Sequence, residues 1–108
     1  MPRRPRVFIP NKSPHDFSMA ESFGELVFCT EGLMDRYSTG TMFRALWPHL
    51  SQSNPDDLIL VTGLVHLNMI AAAIMSYLHG RVNLLLFNGE GYVKRTVVLD
   101  SFSPNASA

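Results

Sequence analysis

The stretch DLILVTGLVHLNMIAAAIMSYLHGRVNLLLF, Asp57 to Phe87, reads as strand, tight turn, helix, tight turn, strand. Leu58-Ile59-Leu60-Val61 is an unbroken apolar run of branched residues, the pattern of a strand covered on both faces. Thr62-Gly63 ends it. From Leu64 to His79 the chain is almost wholly apolar or small, and Gly80 stands where a helix C-terminus takes a left-handed residue. His79 falls in the last turn, where positive charge is favourable. Val82 to Phe87 repeats the buried-strand pattern. Two buried strands joined by a helix of about four turns predict a right-handed parallel crossover.

Working outward, the chain divides into a proline-arginine arm (1–5), a single domain (6–100) and a serine-rich tail (101–108). A length of 108 residues accommodates one core, and a hydrophobic fraction of 46% is enough to fill it. Towards the N-terminus, Val7-Phe8-Ile9 predicts a short buried strand. Ser13-Pro14-His15-Asp16 has the form of a capping box, with Ser13 as N-cap, Pro14 at the first helical position and Asp16 reaching back to the cap amide. A short helix through Met19, Ala20 and Ser22 should follow, closed by Gly24, before a second strand, Glu25 to Cys29. Ser38-Thr39-Gly40-Thr41 then offers an N-cap for a helix towards Leu50, with Met42, Phe43, Leu46, Trp47 and Leu50 inward. Pro48 removes a backbone donor, so this helix is expected to kink or end near Trp47. Asn88-Gly89-Glu90-Gly91 predicts a hairpin turn, and Tyr92 to Leu99 alternates as an antiparallel edge strand should.

These units assemble into a small Rossmann-like α/β sandwich of three layers. Four parallel strands with helices on both faces are joined by a fifth, antiparallel strand, in the order second, first, third, fourth, fifth. The pieces His15-Asp16-Phe17-Ser18, Phe23-Gly24-Glu25, Thr30-Glu31-Gly32, Thr62-Gly63 with Leu67-Asn68, and His79-Gly80-Arg81-Val82-Asn83-Leu84-Leu85 resemble small uncharacterised α/β proteins of the kind bacteriophages encode. The resemblance covers about residues 7 to 95 and implies the fold without implying a reaction.

Nine basic and nine acidic residues balance to zero formal charge, which points away from nucleic acid and anionic membranes as general partners. The exception is the arm, where Arg3, Arg4 and Arg6 cluster and could meet phosphates. One cysteine, Cys29, excludes an internal disulfide framework and fits a reducing compartment. With no apolar run of secretory length and a central helix too short to span a bilayer, a cytoplasmic protein is expected.

In an open parallel sheet, ligands bind beyond the carboxyl ends of the strands, where strand order reverses. The residues delivered to that edge are Asn11, Lys12, Ser13 and His15, then Glu31 and Gly32, then Thr62, Gly63 and His66. Three helix N-termini lie there as well, and Lys12 and Arg36 can add full charges. This predicts a site for a nucleotide or another small anion. No GxGxxG and no GxxxxGK[ST] motif supports it, and no cofactor is named by any motif. His15, Asp16 and Glu31 could instead form an acid-base or metal cluster, but side chains at adjacent helical positions diverge by about 100°, so Asp16 reads better as a cap. His66 with Asn68 either faces a ligand or is held by a neighbouring carbonyl. The four histidines lack HExxH or paired Cys/His spacing, so no metal is expected, and His49 and His79 fit structural places near helix C-termini. Cys29 reads as a small buried hydrophobe, and no serine sits in a GxSxG elbow.

The central helix is apolar nearly all round, which implies burial on every side. A domain this small has few elements to cover it. Met69 and Met75 are therefore expected in a core or in a contact between copies, which makes a homo-oligomeric assembly protein the other reading.

Overall fold

A computed structural model describes residues 4–32, 35 and 37–99. The expectations placed on Arg3, Arg36 and the tail at 101–108 lie outside the described residues. In chain order the elements are β1 (Arg6–Ile9), a 3₁₀ helix (Ser18–Ser22), β2 (Glu25–Phe28), α1 (Thr39–Leu50), β3 (Leu58–Leu60), α2 (Val65–His79), β4 (Arg81–Phe87) and β5 (Tyr92–Val98). The strands form one mixed sheet in the order β2-β1-β3-β4-β5, which is the order read from the sequence. β1 pairs in parallel with β2 and β3, and β3 with β4, while β5 runs antiparallel to β4.

Register assigns the faces. Phe8 pairs with Val27 and Ile59, and Ile59 with Leu84; these point to the face on which both α-helices lie. There Met42, Leu46 and Leu50 of α1 and Leu67, Ala71, Ile74 and Met75 of α2 complete a buried cluster around Phe8 and Ile59. Each such side chain taken fully out of water contributes roughly 1.5–3 kcal/mol. The opposite face, with Val7, Ile9, Leu58, Leu60 and Leu85, is covered by Phe17 and Ala20 of the 3₁₀ segment, with Phe23 and Tyr92 at its margins. Both α-helices thus share one face, and the helical cover of the other is a single 3₁₀ helix of five residues.

Several local expectations are corrected. Asp16 does not reach back to Ser13: its carboxylate accepts the Ser18 amide (2.9 Å), while Ser13 Oγ accepts the His15 amide (3.4 Å). Two successive side-chain turns therefore replace a helix start at Pro14. Gly24 follows the 3₁₀ helix as expected, and its lack of a side chain has a further reason, since a Cβ there would run into the Pro5 carbonyl that accepts the Glu25 amide. α1 does not end at Trp47 but continues through Pro48 to Leu50. Pro48 lies on the exposed side of the helix, as does Arg44, whose carbonyl loses the proline's missing amide, so water can replace that bond. α2 ends at Gly80 (φ 68°), whose amide donates to the Ser76 carbonyl at 2.9 Å. It is not buried all round. Val65, Met69 and Tyr77 are exposed, and Met69, at 64% exposure, is no part of the core.

The arginines at the start of the domain are spent on their own chain. Arg4 donates to the Glu21 carbonyl, and Arg6 donates to the Gln52 carbonyl and lies over the Phe8 ring, 5.1 Å from its centre. Among the described residues, no helix is long and apolar enough to cross a membrane.

Candidate functional site

The chain leaves β1 towards β2 on one side of the sheet and leaves β3 towards β4 on the other, so the loops after β1 and β3 part at the carboxyl edge. A cavity of about 260 Å³ occupies the gap. Ser13, His15 and Phe17 line it from the loop after β1, and Leu60 to Gly63 from the end of β3. Phe87 at the end of β4 and Tyr92 at the start of β5 close the third side. Four of its nine lining residues carry aromatic rings. His15 meets Phe17 and Phe87 edge-on at 5.1 and 5.7 Å between ring centres, and Phe87 lies 5.3 Å from Tyr92, its cross-strand partner.

A second hollow of about 150 Å³ shares Gly63 with the first and is lined by Met42, Leu64, Val65 and His66. It opens on the N-terminus of α2. Leu64 occupies the N-cap position and supplies no side-chain acceptor, so the first-turn amides keep the unpaired donors that every helix start exposes. His66 lies in this turn, 6.4 Å from the exposed ring of Tyr37.

Local bonds hold this geometry. Asn68 accepts the Thr62 amide and hydroxyl at 3.1 and 3.2 Å and returns its own amide to the Thr62 carbonyl at 2.7 Å. Asn68 is thereby a clip on the turn, not a group offered to a ligand, and Thr62 contributes shape more than free donors.

The sequence-derived candidates separate into two groups. Ser13, His15, Thr62 and Gly63 meet at the larger cavity, and Gly63 and His66 at the smaller one. Asn11, Lys12, Glu31 and Gly32 line neither. They prolong the β1–β2 pairing past its strands: Lys12 bridges Glu31, its amide donates to the Thr30 carbonyl at 2.7 Å, and Asn11 accepts from the Thr30 hydroxyl at 2.7 Å. The Lys12 ammonium sits over the Phe28 ring, 5.3 Å from its centre. Arg36 lies outside the described residues.

Tyr92 was visible in the sequence only as one position of an alternating edge strand. Its hydroxyl oxygen is buried and has no hydrogen-bond partner. Burial first, and the nearby Asp16 carboxylate second, push its phenol pKa up, so the hydroxyl remains a donor at neutral pH. An aromatic residue in the strand position next to a hairpin, following Phe87 across the turn, was the available signal. Cys29 is buried and its thiol is pushed up to about 12, which keeps it out of the thiolate form. Among the described residues no cluster of His, Cys, Asp and Glu is grouped to hold a metal. The arrangement can enclose a flat ring and present backbone donors to an anion beside it.

The family model described as "Phage Pam3 gp32-like protein" matches residues 5–100. The chain belongs to this family. The resemblance to phage-encoded α/β proteins read from the scattered sequence pieces is the same relationship, now carried by nearly the whole chain. The matched stretch runs from before β1 to beyond β5 and contains both hollows. No curated protein and no solved structure matches it.

Proposed function

We propose that this protein is a Rossmann-like ligand-binding module whose ligand combines a planar ring with an anionic group, of the size of a mononucleotide. The observation that carries this reading is the Tyr92 hydroxyl, buried without a partner on the wall of an aromatic cavity that adjoins the uncapped start of α2. A buried polar group left unpaired costs about 1–3 kcal/mol, and a ligand that bonds to it recovers that loss. The ring would lie among His15, Phe17, Phe87 and Tyr92, and the anion at the amides of Val65 and His66. Together the hollows lie at the low end of the roughly 300–1,000 Å³ found for ligand pockets, which suits a mononucleotide and leaves no room for a dinucleotide. The sheet order supports the reading, since the loops after β1 and β3 part at the carboxyl edge, where ligands bind in open α/β sheets.

The test is thermal melting against nucleoside monophosphates, nucleosides and inorganic phosphate. A ligand at about a hundred times its dissociation constant adds roughly 2.7 kcal/mol, several degrees for a domain of this size. A nucleoside monophosphate should give the largest shift, His15→Ala and Tyr92→Phe should reduce it, and Lys12→Ala should leave it unchanged. No shift across the panel, or a shift indifferent to His15 and Tyr92, refutes the proposal.

A further inference from the structure

The outer surface of the helical layer is a second unexplained feature, remote from the crevice in chemistry. α1 and α2 contain no aspartate or glutamate, and Arg44 is their one lysine or arginine. Outward, α2 presents Val65, which also borders the smaller hollow, then Met69 one turn on and Tyr77 two turns beyond that, exposed by 63%, 64% and 83%. α1 adds Phe43 and Trp47, stacked at 5.5 Å between ring centres. Between the helices these aromatics, with Ile70, Ala73 and Ile74, border an open apolar groove of about 300 Å³.

From this we infer that the chain forms a two-fold dimer in which the α1–α2 surface of one copy packs against the same surface of another. Three arguments identify the partner as a second copy. The patch offers both a knob and a hole, as a surface used twice by a two-fold must: exposed Met69 stands one helical turn, about 6 Å, from Ala73 in the groove wall. Its residue types, aromatic side chains with Met and Arg and without Lys, Asp or Glu, are those enriched in interface centres, and the near absence of charge suits an equally uncharged surface. Aromatic side chains offer about 150–250 Å² each, so at the observed exposures the five large residues present on the order of 500 Å² per copy. That is at the upper end of what monomers expose and somewhat below the roughly 800 Å² per partner of a standard stable interface, which sets the expected dissociation constant in the micromolar range.

The experiment is sedimentation of the full chain across the micromolar range, with Trp47 fluorescence read on the same samples. Trp47 is the one tryptophan, so its emission reports this surface alone. The mass should rise from one chain to two as concentration increases, with a blue shift of emission in step. Met69→Glu and the uncharged Tyr77→Ser should each weaken association by about tenfold or more, with melting curves of the monomer unchanged because both side chains are exposed. Lys94→Glu, on the free edge of β5, should leave the dimer intact. A single-chain mass at every concentration overturns the inference, as does a dimer that survives both α2 variants or one that Lys94→Glu dissociates.

Discussion

Among the described residues, the buried side chains at the amino ends of the strands bond to the backbone and to one another, with Arg6 Nε the exception, whereas at the carboxyl ends the buried Tyr92 hydroxyl has no partner. The Asp57 carboxylate, buried at the start of β3, accepts the amides of Arg6 (2.9 Å) and Asn54 (2.8 Å) and lies 3.6 Å from the Arg6 guanidinium. Beside it Asn83 donates to the carbonyls of Pro55 and Asp57 at 2.9 and 3.0 Å and accepts from the Thr96 hydroxyl at 2.7 Å. Ser53 donates to the Leu50 carbonyl at 2.6 Å and lies 2.8 Å from His79 Nε2, which ties the C-terminal ends of the two helices together. At the other end stand the Tyr92 hydroxyl without a partner, the uncapped α2 and the two hollows. One end of the sheet is tied together by side-chain bonds, and the other is the end for which a ligand is proposed.

The largest expected effect attacks the paired end. Asp57→Ala removes the acceptor of two backbone amides and leaves the partly buried Arg6 without its counter-charge, so stability should fall by about 3–5 kcal/mol in urea unfolding. A loss under about 1 kcal/mol would mean that the amino end does not carry the stability assigned to it. Tyr92→Phe should do the reverse at the carboxyl end. Removing a buried hydroxyl with no partner should leave the unliganded protein as stable or raise it by about 1 kcal/mol, while ligand binding weakens. Clear destabilisation of the unliganded protein would erase the contrast between the ends.

The smallest effect belongs to Asp16. Its bonds to Ser18 hold its carboxyl below the ordinary carboxylate value. A depressed folded-state pKa supplies stability above the unfolded value, which is lost as pH falls through the folded one. Asp16→Asn keeps an acceptor oxygen but not the charge. The wild-type chain should therefore melt slightly higher than the variant near neutrality, with the gap closing in acid. A gap that does not vary with pH would assign the Asp16 contribution to the turn alone.

The fold was legible where local chemistry agreed with tertiary packing. The buried-strand runs at 58–61 and 82–87, with Gly80 between helix and strand, specify the crossover, and of the residues expected at the carboxyl edge, Ser13, His15, Thr62, Gly63 and His66 border the two hollows. Lys12 and Glu31 line neither hollow because the β1–β2 pairing runs on beyond the apolar residues, which turns an apparent loop into a clasp. Pro48 misled because its cost depends on whether the orphaned carbonyl is wet. Phe87 and Tyr92 pair across the hairpin that the Asn88-Gly89-Glu90-Gly91 turn predicts, whereas Phe17 reaches the same wall from the loop after β1, which no local spacing records.

β1 lies between β2 and β3, and its ladder with β3 joins Val7 to Leu58. β3, α2, β4 and β5 follow one another through short connections, so the half of the sheet they form has low contact order and can assemble quickly. On a ribosome the order of appearance is the opposite: Val7-Phe8-Ile9 emerges first and gains β2 early, yet one edge stays unpaired until Leu58 and Ile59 are made. During synthesis the middle of the finished sheet is an open apolar edge, and the step that closes it should set the pace at which the nascent chain becomes safe from aggregation.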